Sequence, residues 1–287
     1  MKLRKSRVLK ETHQGMVATC AKINLSDPRV IELCGLAGYS TVWLCLEHVP
    51  NDWSVIENCV RAAKAYDMDV IVRVSRGSYS DYIRPFECDA TGVMIPHVES
   101  AEQAREIVDF CRFNPLGRRA LDGGNADGAY CQVPLQEYLH HANTERFLIL
   151  QIESPEALEN VEEIAAVPGF EYLLFGAGDY AHRIGKAGQY TCPEVESARR
   201  RVEAAALANG KRCVGVGILL EAPLLKQRGY SVINLASDVV GLGGYLASQL
   251  TSLEQEPTLP PAASLYSNGN GSNGNGHKAD DSMVLTK

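Results

Sequence analysis

Residues 146–179 read RFLILQIESPEALENVEEIAAVPGFEYLLFGAGD. An apolar run at 146–153 is followed by a segment with apolar residues at helical spacing, and a second apolar run follows at 171–177. A strand, a helix and a second strand in this order are typical of a βα unit in a parallel sheet. Each of the two runs leads into a carboxylate, Glu153 or Asp179. The stretch therefore predicts the unit of the fold and a place where acidic side chains gather.

The same pattern extends along the whole chain. We predict eight strands, at 16–23, 40–47, 69–74, 91–96, 146–153, 171–177, 212–218 and 231–237. Helical periodicity predicts helices at 27–38, 53–67, 79–89, 100–113, 154–167, 193–210 and 239–253. The connection at 219–230 is the least regular. Eight strands with interleaved helices over roughly 250 residues predict an α/β fold, a (β/α)8 TIM barrel.

The composition changes near Glu254. Residues 254–287 are rich in Pro, Gly, Asn and Ser, and such a segment buries too little apolar surface to offset the entropy of folding. We therefore expect a TIM-barrel domain at 1–253 and a disordered C-terminal tail at 254–287. A docking peptide at the extreme end is the less favoured interpretation.

Bulk properties limit the class of function. The 287 residues carry a formal net charge of −7, and the basic residues are scattered, which argues against nucleic acid and anionic membranes as partners. The nine cysteines show no zinc-ligand spacing and indicate reduced thiols. No apolar stretch approaches the roughly 20 residues of a membrane span. We expect a cytoplasmic protein that acts on small molecules.

Polar side chains end five neighbouring strands of the predicted barrel. They are Glu47 with His48, Arg73, His97, Gln151 with Glu153, and Asp179. In a TIM barrel the carboxyl ends of the strands form the mouth at which chemistry takes place. We assign no lysine to such a strand end, because Lys211 precedes strand seven and Lys226 follows it. A Schiff-base mechanism is therefore disfavoured, and metal-assisted polarisation of a carbonyl is favoured.

Each of these residues also has a purely structural interpretation. Glu153 could cap the following helix, Asp179 could be a turn residue, and Arg73 could belong to a structural ion pair. Two carboxylates on adjacent strand ends, however, repel each other unless a cation lies between them. Oxygen ligands suit Mg2+ or Mn2+. The small residues before Asp179 would let backbone N–H groups approach a substrate carboxylate.

Six motifs occur in an order and spacing found in one family. They are LEHVPND (46–52), VRV (72–74), GVMIPHVESAEQA (92–104), PLGRR (115–119), LQIESPEALEN (150–160) and FGAGDYAHRIG (175–185). Between Met16 and Leu253 the chain resembles the HpcH/HpaI aldolases, which are class II, pyruvate-dependent aldolases with a TIM-barrel fold.

The resemblance implies roles for the residues at the mouth. Glu153 and Asp179 would bind a divalent cation, Mg2+ or Mn2+ with Co2+ as a third candidate. Arg73 would meet the pyruvate oxygen that becomes an enolate, and His48 would be the acid or base. Gln151 would lie beside the substrate. The backbone around Gly178 and Asp179 would hold the substrate carboxylate.

The resemblance also implies an activity and partners. The protein would cleave or form 4-hydroxy-2-oxo acids as a metal-dependent carbon–carbon lyase, with a 2-oxo acid and an aldehyde as its small-molecule partners. The last helix of the family packs against a neighbouring subunit. Segment 239–253 therefore predicts a homo-oligomer, a hexamer by resemblance.

Two features depart from the family pattern. An aspartate that forms a dyad with the histidine is replaced by Cys45, a weak substitute for a carboxylate. Strand alternation would aim Glu47 away from His48. The loop 115–134 also differs, and its LDGGNADGAY segment reads as a lid or as an ordinary surface turn.

These departures keep alternatives open. Decarboxylation of oxaloacetate needs no base for a hydroxyl, and a non-catalytic barrel that binds a metal and an oxo acid is a second alternative. A citrate-lyase-like barrel would require a phosphate- or CoA-binding element, and the sequence contains none that we recognise.

Overall fold

The computed structural model describes residues 3–217 and 222–254. Eight parallel strands form a closed barrel in chain order. They are β1 Ala18–Ile23, β2 Thr41–Cys45, β3 Asp69–Arg73, β4 Gly92–Ile95, β5 Phe147–Ile152, β6 Tyr172–Phe175, β7 Arg212–Val216 and β8 Tyr230–Ser237. The barrel closes where β1 pairs with β8, with Ala18 opposite Val232. The predicted TIM barrel and all eight strands are confirmed.

One helix precedes β1, and the other helices come after successive strands. They are α1 Arg7–His13, α2 Pro28–Leu36, α3 Trp53–Ala65, α4 Tyr79–Glu87, α5 Ala101–Cys111, α6 Leu135–Thr144, α7 Pro155–Glu159, α8 Val161–Ala166, α9 Ala177–Arg183, α10 Pro193–Ala208, α11 Ala222–Gln227 and α12 Asp238–Glu254. In the described part of the chain, none of these helices has the length and apolar character needed to cross a membrane.

The chain divides into two compact units, residues 1–245 and 246–287. The first contains the barrel. The described portion of the second is the end of α12, up to Glu254. The expected tail from residue 255 onward lies outside the described residues, as does 218–221 between β7 and α11. The boundary at residue 253 remains a prediction.

The structure contains helices that the pattern did not predict. Helix α1 precedes the barrel, and its Val8 and Leu9 belong to the same hydrophobic cluster as barrel-interior residues such as Phe147. Asp69, at the start of β3, accepts hydrogen bonds from the Ser6 hydroxyl (2.6 Å) and from the backbone N–H of Val8 (2.9 Å). Helix α1 has only seven residues and too few apolar positions to give a periodic signal in the sequence, yet it closes the amino end of the barrel.

Strand alternation determines which side chains reach the mouth. Successive residues of a strand point to opposite faces. Trp43, Ile71 and Ile149 belong to the interior cluster of the barrel. The residues two positions further along, Cys45, Arg73 and Gln151, are therefore inward-facing at the carboxyl ends of their strands, and all three are buried.

Candidate active site at the carboxyl end of the barrel

Arg73 is the last residue of β3 and is buried. Its Nε lies 3.0 Å from Glu47 Oε2, and its Nη2 donates to Cys45 Sγ at 3.3 Å. Its guanidinium carbon lies 4.9 Å from the centre of the Trp43 ring. The pair with Glu47 is not aligned as a hydrogen bond, since both atoms are buried without a hydrogen-bond partner. The contact therefore compensates charge while leaving polar atoms of both groups unsatisfied.

His97 joins two carboxylates across the mouth. Its Nε2 lies 3.2 Å from Glu47 Oε1, and its Nδ1 lies 3.0 Å from Glu153 Oε1. Its backbone has a φ of +54°, an uncommon conformation for a residue with a side chain. This conformation accompanies a hydrogen bond of 2.8 Å from the His97 N–H to Glu153 Oε1. The sequence placed His97 at the mouth, but neither pattern nor resemblance assigned it this bridging position.

Glu153 is buried, and its side chain is not a helix cap. Ser154 caps α7 instead, accepting a hydrogen bond from the Ala157 N–H. Gln151 Nε2 donates to Glu153 Oε2. Burial raises the pKa of Glu153 to about 7, and the negative charge of Asp179 adds to this rise, whereas the hydrogen bonds from His97 and Gln151 oppose it. A cation at this carboxylate would stabilise its ionised form.

Asp179 lies in the first turn of α9 and is exposed. The turn predicted here is thus the start of a helix, with Gly176 at its N-cap. A Cβ on Gly176 would lie 2.6 Å from Glu153 Oε2 and 2.7 Å from Glu153 Cβ. A Cβ on Gly178 would meet nothing within 4 Å. The glycine that the packing of the site requires is therefore Gly176, whereas Gly178 borders open space.

His48 lies at the rim, with 59% of its side chain exposed. Its backbone N–H donates to Cys45 Sγ at 3.4 Å, and its Nε2 lies 3.5 Å from Glu47 Oε2. The expectation that Glu47 points away from His48 was wrong, because β2 ends at Cys45 and alternation does not continue beyond the strand. The carboxylate beside this imidazole is thus Glu47.

Lys22 was overlooked among the strand-end residues. It is the penultimate residue of β1, it is half-buried, and it pairs in register with Trp43. Its Nζ lies 5.2 Å from the centre of the Trp43 ring. The expectation that no lysine ends a strand was therefore wrong. The predicted strand at 16–23 contained Lys22, and counting every second residue from Cys20 would have placed it on the inner face.

The loop 115–134 is anchored inside the protein. Arg119 Nη2 donates to Asp127 Oδ2 at 2.7 Å, and both side chains are almost completely buried. The Tyr138 hydroxyl donates to the same oxygen at 2.8 Å. Arg119 also lies over the Phe113 ring, with its guanidinium carbon 4.8 Å from the ring centre. The part of the loop around Asp127 is thus a fixed turn.

The residues present are compatible with a hard divalent cation, although they do not form a complete protein cage. Among residues 3–217 and 222–254, no group of three or more His, Cys, Asp or Glu side chains is arranged to hold a metal ion. Glu153 and Asp179 would supply two oxygen ligands, and water and substrate would supply the others, as is usual for Mg2+. The raised pKa of Glu153 and the unpaired Gln151 Oε1 fit a site that gains a cation.

The fold and the mouth define a class of protein, a TIM-barrel enzyme with two carboxylates and a buried arginine at the carboxyl ends of its strands. Comparison with known proteins specifies it further. The model of the HpcH/HpaI aldolase/citrate lyase family matches residues 23–239, and the chain belongs to this family. The resemblance inferred from the motifs is confirmed.

Two relatives and one solved structure illustrate the similarity. The hydroxypyruvate/pyruvate aldolase of Delftia acidovorans is 32% identical over 239 residues, which cover 79% of this chain and 87% of that protein. The 5-keto-4-deoxy-D-glucarate aldolase of Klebsiella pneumoniae is 32% identical over 187 residues, covering 65% and 72%. An HpcH/HpaI aldolase structure from Desulfitobacterium hafniense superposes with a TM-score of 0.82 at 27% identity, covering 88% and 98%.

The family and its aldolase members identify the protein as a carbon–carbon lyase of the pyruvate-aldolase type. The family is generally dependent on a divalent metal. At the mouth, the structure brings Arg73, Gln151 and Glu153 together through Glu47 and His97. His48 joins this group at its edge.

Proposed function

We propose that the protein is a metal-dependent lyase that cleaves or forms 4-hydroxy-2-oxo acids through a pyruvate enolate. The observation that carries the proposal is the burial of Glu153 at the mouth, where 1% of its side chain is exposed and His97 and Gln151 donate hydrogen bonds to it. Burial raises the pKa of Glu153 to about 7, and the charge of Asp179 adds to this rise. A carboxylate kept in this environment is poorly solvated, and a divalent cation is the partner that compensates it. Perturbed groups of this kind concentrate at functional sites.

Glu153 and Asp179 would hold the cation, with Mg2+ and Mn2+ as the first candidates and Co2+ as the third. When bound, the cation supplies polarisation of the substrate carbonyl. The backbone N–H groups at Gly178 and Asp179 would receive the carboxylate of the 2-oxo acid. Open space beside Gly178 supports this placement, because a substrate can approach that backbone closely.

Arg73 would stabilise negative charge on the keto oxygen. Its Nε and Nη2 are turned toward Glu47 and Cys45, while Nη1 has no hydrogen-bond partner among the described residues. A buried, preorganised guanidinium stabilises an oxyanion more than water does. Gln151 keeps Glu153 in place and would lie beside the substrate.

His48 would accept the proton of the C4 hydroxyl during cleavage. As this O–H bond breaks, the C3–C4 electron pair moves to form the enolate, and an aldehyde is released. Protonation at C3 then gives pyruvate, and the reverse sequence makes the carbon–carbon bond. Glu47, 3.5 Å from His48 Nε2, would support the imidazole in place of the absent aspartate.

A second candidate function is decarboxylation of oxaloacetate at the same site. The replacement by Cys45 and the high exposure of His48 favour it, because loss of carbon dioxide forms the enolate without deprotonation of a hydroxyl. A barrel that binds the metal and the oxo acid without turnover is the non-catalytic alternative.

One experiment separates these possibilities. The purified protein, with Mg2+ or Mn2+, is incubated with oxaloacetate and with a panel of 4-hydroxy-2-oxo acids, and pyruvate release is measured. We expect release that EDTA stops and that Asp179→Ala abolishes. Absence of release from every compound contradicts the enzymatic proposal. In that case, a rise in melting temperature with pyruvate or oxalate only when metal is present identifies the binding protein.

We also propose that the protein is a cytoplasmic homo-oligomer, a hexamer by family resemblance. Val240, Leu242, Leu246 and Leu250 of α12 are exposed apolar residues, which supports a subunit contact. All nine cysteines are free, which supports a reducing compartment. Light scattering after size-exclusion chromatography tests the oligomer, and a monomeric mass at micromolar concentration contradicts it.

A further inference from the structure

The positive charge of Lys22 lies at the mouth and has no role in the proposed mechanism. Lys22 comes two residues after the inward-facing Cys20 in β1, and its Nζ lies beside the Trp43 ring. The guanidinium group of Arg73 lies over the same ring. Two cations therefore lie within about 5 Å of one ring centre, at 5.2 Å and 4.9 Å. A positive charge is attracted to the face of an aromatic ring, but two positive charges at one ring also repel each other.

The ammonium group of Lys22 has no anionic partner in the described part of the chain. No hydrogen bond or ion pair is found for its Nζ among residues 3–217 and 222–254, and its contact is with the Trp43 ring. The nearest acidic groups are engaged elsewhere. Glu47 contacts Arg73 and His97, and Asp238 accepts backbone N–H groups of Asn24 and Leu25. A half-buried ammonium without a carboxylate is costly, and an anionic ligand would remove this cost.

Burial lowers the pKa of Lys22, and the charge of Arg73 lowers it further. Cys45, Glu47 and Asp238 act in the opposite direction. The direction of the shift agrees with the geometry, since it shows a cation that is incompletely compensated by its surroundings. A bound carboxylate would raise the pKa of Lys22 again.

The order of the strands indicates which part of a substrate would reach Lys22. Glu153 directly follows β5, Asp179 lies at the start of α9, Arg73 lies on β3, and Lys22 lies on β1. In the proposed placement, with the carboxylate of the 2-oxo acid near Asp179 and its keto oxygen near Arg73, continuing in the same direction around the barrel would take the remaining carbons toward β2 and β1. That side contains Trp43, His48 and Lys22.

We propose that Lys22 is a specificity-determining residue that binds an anionic group at the far end of the substrate, on the fragment released as the aldehyde. This inference rests on the proposed placement of the 2-oxo acid. It selects 4-hydroxy-2-oxo acids whose aldehyde fragment carries a carboxylate or a similar anion over those with a neutral chain. The Trp43 ring, 5.2 Å from the Lys22 Nζ, lies beside the ammonium group that would make this contact.

The test uses binding, so that it does not depend on turnover. Affinities of the Mn2+-loaded full-length protein are measured by calorimetry for 2-oxoglutarate against 2-oxopentanoate, and for 2-oxoadipate against 2-oxohexanoate. Each pair has the same carbon chain and differs in the distal carboxylate. We expect the dianion to bind about tenfold more tightly in at least one pair, as one charge-assisted hydrogen bond provides.

Variants assign the preference to Lys22. Lys22→Met should abolish it, and Lys22→Arg should retain most of it, because the charge is kept. Lys10→Met is the matched control, since Lys10 is exposed on α1 at the opposite end of the barrel. In cleavage assays Lys22→Met should raise KM for the diacid about tenfold and leave KM for a neutral-chain substrate unchanged.

Three results would overturn this inference alone. One is an unchanged preference in Lys22→Met, and another is no preference in the wild type in either pair. The third is borohydride trapping of pyruvate on Lys22, which would show an imine-forming lysine instead of a binding cation. Failure of the proposed function has a different signature, namely absence of turnover while the Lys22-dependent preference persists. Binding of none of the four acids overturns both proposals.

Discussion

Substitution of Gly176 by alanine tests whether the site depends on the close approach of a strand end to Glu153. The φ of Gly176 is −81°, so alanine meets no backbone restriction there. The obstacle is space, because the new Cβ would lie 2.6 Å from Glu153 Oε2, 2.7 Å from Glu153 Cβ and 3.1 Å from Gln151 Nε2. The carboxylate end can rotate away, but the Cβ of Glu153 is fixed by the backbone.

The size of the effect follows from these contacts. One added methyl group in a packed region costs about 1–3 kcal/mol. With one rigid contact we expect a loss of about 2 kcal/mol in the free energy of unfolding, or about 4–8 °C in melting temperature. Displacement of Glu153 should lower Mn2+ affinity by about 10- to 100-fold, as observed when metal ligands lose their supporting contacts.

The assay is a Mn2+ titration followed by electron paramagnetic resonance, with urea unfolding of the metal-free protein in parallel. Gly178→Ala is the control for stability, because residue 178 lies in helix α9 and a Cβ added there would meet no atom within 4 Å. That variant should be as stable as the wild type or slightly more stable. Wild-type Mn2+ affinity in Gly176→Ala would refute the reasoning, because Glu153 would then not be the ligand that Gly176 accommodates.

Three further predictions concern charge. The pKa of Glu153 is about 7 in the folded protein against an ordinary value of 4.5. The resulting stabilisation of the metal-free fold is complete below pH 4.5 and is lost as pH rises through 7. In EDTA, Glu153→Gln should therefore reduce the fall in melting temperature between pH 5 and pH 8, and an unchanged fall contradicts this. Asp127→Ala should lower the free energy of unfolding in urea by about 3–5 kcal/mol, because it leaves the buried Arg119 without its carboxylate. Arg118→Ala is the control, since this side chain is 85% exposed and its loss should change the free energy of unfolding by less than about 1 kcal/mol. Equal losses in the two variants would refute the prediction. Cys45→Asp should raise aldol turnover if the missing carboxylate limits proton transfer, and a variant no faster than the wild type removes that explanation.

The barrel was predictable because its signal is local and repeated. Each strand is an apolar run of a few residues, and each helix has its own periodicity, so the architecture does not depend on any one element. Residues Arg73, Gln151 and Glu153 were predictable for the same reason, since they end such runs. Helices α1 and α6 were missed because they lie outside the regular alternation of strand and helix.

The contacts within the site were less predictable. The bridging position of His97 depends on a backbone conformation with positive φ, for which the residues around it carry no local signal. The pairing of Glu47 with His48 depends on where β2 ends, and strand ends are the least certain part of a pattern. Lys22 was predictable from strand alternation, since it follows the inward-facing Cys20 by two residues.

The position of α1 has a consequence for how the chain folds. This helix precedes β1, yet it is held by Asp69 and shares an interior cluster with Phe147, and both residues come much later in the chain. Strand β1 likewise waits for β8, since Ala18 pairs with Val232. Both ends of the barrel sequence therefore depend on contacts of long sequence separation, which slow folding. During synthesis, β1 can pair with β2 early, but its pairing with β8 becomes possible only when nearly the whole barrel sequence has been made.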